Sequence, residues 1–415
     1  MQGNASHAGR GRPGGAEGGR SRDAAGGGIG NAAGEPITVA HLVTPYLFPT
    51  GSWIHAQLVH SCGVRPIVLT QKLADPEAFP FSPIFEVTQS LGRLGRMRNR
   101  LRSLSGGYDP RPYLPILRQQ GVALLHAHLG WEGALALPVA RASGLPMIVS
   151  FYGRDAGRLP RFPWWRARFQ RLFREAQLFL VEGPALAVRL RDIGCPGEKV
   201  RVLHLGIDPA RIPFRERSGE AGRPVEILVS ASFRPKKGVP SAVRAFASVA
   251  AEFPHARLRV LGDGPERTAV MREVRRANLG ERIVLEGYVS YARHLRALEE
   301  ADLFLAPSRT APDGDTEGGA PVAVIEAQAA GLPVVSTTHA DIPEVVIAGE
   351  GGLLSPEGDD AALAKNLASL LSRPERWPAM GRSARERIER EFDIRALACE
   401  AARIYRDATQ RRDAD

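Results

Sequence analysis

Long apolar runs, lysine and cysteine are all scarce in this 415-residue chain. No stretch of 18 apolar residues occurs, so nothing reads as a membrane-spanning helix. Residues 1–35 are rich in Gly, Ala and Arg and lack the apolar core of a signal peptide; they read as a disordered leader. Cys62, Cys195 and Cys399 are odd in number and far apart, which suits a reducing compartment and offers no metal-ligand spacing. The expected location is the cytoplasm. Aromatic residues make up only 7%, yet 44% hydrophobic content suffices for a globular protein. The length predicts two domains of about 170 to 200 residues.

Arginine, by contrast, is abundant, and the formal charge is +10. Such a balance suits polyanionic partners without separating nucleic acid, anionic lipid and phosphorylated small molecules. One cluster comprises Arg93, Arg96, Arg98, Arg100 and Arg102. A second, with Arg161, Arg166, Arg168, Arg171 and Arg174, surrounds Phe162, Trp164, Trp165, Phe169 and Phe173. Two readings stay open: peripheral contact with an anionic membrane, or solvated helix faces over ordinary core aromatics.

Apolar runs alternate with helical patterns along the chain. Strands are expected at 37–43, 66–70, 122–127, 146–151 and 178–181, then at 225–230, 258–261, 283–285, 303–306, 334–336 and 352–354. Helical patterns fall between them, which predicts α/β architecture with two parallel, Rossmann-like sheets facing a cleft. The expected division is a leader at 1–35, a first domain at 36–214, a second at 215–382, and a C-terminal helix at 383–415. The polar, Pro-containing segment 208–224 is the expected linker. A continuous helix from Ser383 to Arg406 is long enough to cross between domains or to pack on the second alone.

The richest stretch runs from Leu303 to Glu344. An apolar strand ends in a loop bearing Glu317, Gly318, Gly319 and Ala320; a helix with Glu326 follows, then a second apolar run. Loop amides and helix starts converge at the C-terminal ends of such strands, where open α/β folds bind polar ligands. An acidic residue amid Val324, Ile325 and Ala327 needs a partner if buried. Lys236 and Lys237 stand together in a Pro-Lys-Lys-Gly turn, although the chain holds only five lysines. A compact ammonium beside a helix start suits a diphosphate, with Arg234 able to assist. Gly262 and Gly264 follow a strand but lack the dinucleotide-binding glycine spacing. His126 and His128 flank Ala127; with no third ligand at convincing spacing, the preferred reading is one structural histidine and one cleft residue, His128. Tyr152, Arg154 and Asp155 follow another strand at the expected cleft rim.

These motifs in this order resemble the retaining glycosyltransferases grouped as family 4, of GT-B fold, over roughly Ile37 to Asp407. The markers are HAHLG at 126–130, SFYGRD at 150–155, HLGID at 204–208, FRPKKG at 233–238, LGDGP at 261–265, and EGGAPVAVIEAQAAGLPVVST at 317–337 followed by IPE. The wording is most similar to bacterial enzymes of exopolysaccharide, capsule or lipopolysaccharide synthesis. The resemblance implies a hexosyl transfer from a UDP- or GDP-sugar to a glycan or lipid-linked acceptor, with no nucleic acid and no bound metal. Lys237 would hold the diphosphate, Glu326 the ribose, and Glu317 with the 318–320 amides the sugar; residues around Gly287 would frame the base. Tyr152 and His128 would face the transfer. Three departures stand out. Ala231-Ser232 replaces the family's Gly-Arg, Tyr152 replaces a histidine, and eight residues rather than seven separate the two glutamates. A sugar-nucleotide epimerase, a glycogen- or sucrose-synthase-like transferase with a soluble acceptor, and a weakly catalytic nucleotide-sugar-binding protein are the competing readings.

Overall fold

The computed structural model describes residues 36–47, 51–89, 91–219 and 223–410. The first sheet contains β1 (Ile37–Leu42), β2 (Val64–Thr70), β3 (Ile84–Glu86), β4 (Val122–His128), β5 (Met147–Phe151), β6 (Leu178–Val181) and β7 (Val200–Val202). Its strand order is β3-β2-β1-β4-β5-β6-β7. The second contains β8 (Val225–Ser230), β9 (Ala256–Leu261), β10 (Ile283–Gly287), β11 (Leu303–Ala306), β12 (Val334–Thr337) and β13 (Gly352–Ser355), ordered β10-β9-β8-β11-β12-β13. The strand pairings are parallel throughout both sheets.

Parallel strands covered on both faces read as continuous apolar runs, and Val39, Leu124, Ile148, Leu228, Val260 and Leu305 are fully buried. Both sheets belong to one compact unit. The order reverses beside β1 in the first sheet and beside β8 in the second, and at such switch points the strands' C-terminal ends form a crevice. All eleven expected strands are present. The unanticipated pair, β3 and β7, are three-residue edge strands too short for a periodic signal.

The expected helix from Ser383 to Arg406 is instead two, Trp377–Glu391 and Ile394–Gln410. Asp393 makes the break, its side chain accepting from Arg395 N (2.8 Å) as a helix-capping residue does. Before the break, Trp377 and Met380 pack with the second sheet. After it, Leu397, Ala401, Tyr405 and Ala408 cover Val39, Leu124 and Ile148 of the first. The returning helix brings Cys399 to Cys62, and the two are joined by a disulfide across 337 residues of sequence. The pairing was not expected of cysteines so far apart in sequence. Cys195 is buried and free. No helix among the described residues is long and apolar enough to cross a membrane.

Candidate active site

Two loops meet at the C-terminal ends of β8 and β11. At Gly238 the backbone has φ +62°, and a Cβ would lie 2.1 Å from Pro307 O, so only glycine lets the loops approach. The approach sets Lys236 and Lys237 against the 315–317 segment. Lys237 Nζ lies 2.8 Å from Glu317 Oε1, and Lys236 Nζ donates to Thr316 O (3.0 Å). Ser308 Oγ donates to Glu317 Oε1 at 3.1 Å. Burial alone would raise the Glu317 carboxyl pKa, but Lys237 and Lys236 overcome it and hold the group down at about 2. Behind the loop, His339 Nε2 accepts from the Glu317 N–H (3.3 Å), so the neutral ring carries its proton on Nδ1, facing Glu357. Burial depresses the pKa of that ring.

Glu326, on the Val322–Ala329 helix, is buried, and its carboxylate is held from two sides. Tyr291 Oη donates to Oε1 (2.9 Å) and His294 Nε2 meets Oε2 (2.9 Å). His294 Nδ1 in turn meets Ser230 Oγ (2.9 Å), at the end of β8. Neither Tyr291 nor His294 was singled out in the sequence. His294 sits three residues into an amphipathic helix and becomes legible only once its neighbour from another element is known. Gly262 and Gly264, after β9, and Gly287, closing β10, lie along the same edge, with Gly262 N donating to Gly287 O (2.7 Å). Arg234 is exposed on the lysine turn.

The facing wall comes from the ends of β4, β5 and β6. Asp155 Oδ2 accepts from Gly130 N (2.7 Å) and Oδ1 from Tyr152 N (3.0 Å), tying two loops together; burial raises its pKa to about 6 despite these donors. The sequence reading put His128 at the cleft, but it is fully buried behind Tyr152, whose hydroxyl its Nδ1 meets at 2.7 Å. His128 Nε2 continues to His41 Nδ1 (2.9 Å), while His126 lies between Ser150 Oγ and Tyr405 Oη (2.8 Å each). His41 is thus the third imidazole that the sequence spacing did not offer, near enough to the others to share a metal ion. His41 and His128 share one hydrogen bond, and His126 bonds separately to Ser150 and Tyr405. Burial depresses all three pKa values, that of His41 to about 3.

The walls touch. A Cβ on Gly318 would lie 2.4 Å from Tyr152 C, and one on Gly319 would lie 2.6 Å from Glu182 Oε2. Glu182, at the end of β6, was not anticipated; burial first and Glu317 second push its pKa well up. Asp341 Oδ1 accepts from Ala185 N (2.7 Å), and Arg158 pairs with Asp313 (3.1 Å). Within the second arginine cluster, Phe169 and Phe173 belong to the core and Trp165 packs against it, whereas Trp164 is exposed.

Residues 55–211 match the family described as Glycosyltransferase Family 4, and residues 211–387 match Glycosyl transferases group 1. WcaL of Salmonella typhimurium, a glycosyltransferase assigned to colanic acid biosynthesis, is 36% identical over 65% of this chain and 67% of its own. The amylovoran biosynthesis glycosyltransferase AmsK of Erwinia amylovora is 33% identical over 64% of this chain and 65% of its own. Among solved structures, Anabaena HepE in complex with UDP and glucose superposes with a TM-score of 0.71 at 17% identity, covering 89% of this chain and all of that one, a likeness of fold.

Proposed function

We propose that this chain, which belongs to the family 4 glycosyltransferases of GT-B fold, moves a hexosyl-type sugar from UDP or GDP to a lipid-linked glycan with retention of configuration. Glycosyl transfer from a nucleotide-sugar donor is its activity; the hexose, the stereochemistry and the acceptor are the finer part of this reading. The observation that carries it is the meeting of Lys237, Glu317 and Gly318 with Tyr152 across the cleft, beside a Glu326 already oriented by His294.

In this reading the diphosphate takes the Lys237 ammonium in place of Glu317, and Lys236 adds to its stabilisation. Freed from Lys237, Glu317 accepts hydrogen bonds from sugar hydroxyls, and Glu326 accepts them from the ribose. Negative charge grows on the leaving diphosphate as the glycosidic bond breaks, so fixed cations there act most strongly in the transition state. The departing phosphate oxygen takes the acceptor hydroxyl's proton on the same sugar face, which retains configuration without a protein base. Tyr152, its hydroxyl held by His128, stands where the acceptor enters. The names of WcaL and AmsK support surface polysaccharide as the product class.

The test is release of UDP or GDP from a panel of nucleotide sugars, with and without lipid-linked saccharide acceptors, followed by NMR of the product's anomeric proton. Acceptor-dependent release and an unchanged anomeric configuration are expected. Inverted product, or sugar isomerisation without any acceptor, overturns the reading.

A further inference from the structure

The Arg93–Ser105 helix carries its polarity reversed. At about 100° per residue, Leu94, Met97 and Leu101 fall within roughly 60° of one another. They are 73%, 54% and 59% exposed. Asn99, on the opposite side, is buried, its amide donating to Gln71 Oε1 (3.1 Å) and its carbonyl accepting from Asp109 N (3.2 Å). A helix that merely covered the domain would turn its leucines inward and its asparagine out. Arg93 flanks the apolar row on one side, Arg98 and Arg102 on the other, and the helix sequence contains no acidic residue. An outward apolar row between cationic margins is the pattern of a helix lying in the interface of an anionic bilayer.

Beside this helix is a groove of about 790 Å³. Phe85, Val87, Leu91 and Ile116 line it, with Arg98 and Arg111 also contributing. Asp109 accepts from Arg111 Nε at 3.0 Å, which fixes that guanidinium at the groove. The groove opens at the C-terminal end of β3, the outer strand of the sheet edge that also ends at Tyr152. Four strand spacings separate the two places, about 20 Å.

We propose that this helix and groove form the seat for the lipid end of the acceptor. The Leu94, Met97 and Leu101 row enters an anionic bilayer. The groove takes the first apolar segment and the phosphate of a phosphorylated lipid, the phosphate lying between Arg98 and Arg111. Several sugar units then span the sheet edge from β3 to Tyr152. This rests on the lipid-linked acceptor of the preceding section and names where that lipid binds.

Two measurements on the full chain test it. The first is flotation with vesicles of phosphatidylcholine alone or containing one quarter phosphatidylglycerol. The wild type is expected to float with the anionic vesicles only, and L94S/M97S/L101S to float at least about tenfold less; these side chains are exposed, so melting curves should match. The second is calorimetry with farnesyl phosphate, inorganic phosphate and farnesol. Farnesyl phosphate is expected to bind at least about tenfold more tightly than either fragment, with that advantage lost in R98E and in Ile116→Arg. Wild type that ignores anionic vesicles, a triple variant that floats equally, or farnesyl phosphate no tighter than phosphate overturns the proposal. Thermal shifts with UDP and GDP on the same samples report on the donor site separately. Their absence, with flotation intact, counts against the proposed activity and not against this seat.

Discussion

Lys237 Nζ and Glu317 Oε1 lie 2.8 Å apart, so the two side chains expected to hold the diphosphate and the sugar of one donor are bonded to each other. The two charges satisfy each other, and a donor bound at both has to exchange this ion pair for its own contacts. Lys237→Ala should therefore remove a charge-assisted contact worth about 1.5 to 3 kcal/mol, weakening UDP or GDP binding by about ten- to a hundredfold. The check is the nucleotide-induced thermal shift, and equal shifts in wild type and variant would exclude Lys237 from the phosphate site.

Glu317→Gln should act in the opposite direction on the bare nucleotide. Without its partner carboxylate, Lys237 is free for phosphate, so UDP or GDP affinity is expected to hold or rise a few fold. Turnover of the intact donor should fall about ten- to a hundredfold, because an amide is a weaker acceptor for sugar hydroxyls. Calorimetry with nucleotide and steady-state rates with donor give the two numbers. A parallel loss in both would show that Glu317 holds phosphate rather than sugar.

For Glu326 the informative comparison is between ligands. Glu326→Gln keeps the shape of the group that Tyr291 and His294 orient but removes its charge. Nucleoside diphosphate affinity should drop about tenfold while inorganic pyrophosphate affinity stays level, because only the former carries a ribose. Equal losses for both ligands would move Glu326 out of the ribose position.

The buried imidazoles give a pH prediction. His41, His126 and His128 are neutral in the fold with depressed pKa values, whereas in the unfolded chain each titrates near 6.5. Below that value the unfolded state binds more protons, so the stability these rings provide is complete above about pH 6.5 and is lost as pH falls toward the folded value, about 3 for His41. Three such protons steepen the loss to roughly 4 kcal/mol per pH unit at most. Urea midpoints between pH 7 and 5 should fall, with a slope about one proton smaller in His41→Gln. An unchanged slope would mean that His41 titrates alike in both states.

Much of this molecule is written locally. The strand runs are apolar because both sheet faces are covered, and the Pro-Lys-Lys-Gly turn and the 317–320 loop carry their chemistry in adjacent letters. What escaped the sequence depends on distant partners. Cys62 meets Cys399 only because the final helix returns to the first sheet. His41 joins His128 through the β1–β4 pairing, and His294 meets Glu326 through helices that flank the second sheet. Glu182 reads as an ordinary acid after a strand, yet it lies against Gly319 of the opposite wall. The kink at Asp393 was hidden by an unbroken helical periodicity on either side of a capping residue.

The break at Asp393 also governs how the two walls can part. Ile207 pairs with Asp393 as an isolated bridge, with Ile207 N donating to Phe392 O (3.0 Å) and Ile394 N to Ile207 O (2.8 Å). Arg395 grips Asp208 beside it with two hydrogen bonds (2.8 and 3.0 Å). The chain thus leaves the first sheet and rejoins it at neighbouring points, making everything between them an insertion on a doubled stem. Such a stem resists sliding, which would tear the bridge, but tolerates rotation about itself. Any rotation of one wall against the other has to turn at this stem, where the chain crosses twice, and has to part the Gly318–Tyr152 approach, the Asp341–Ala185 hydrogen bond and the Arg158–Asp313 pair.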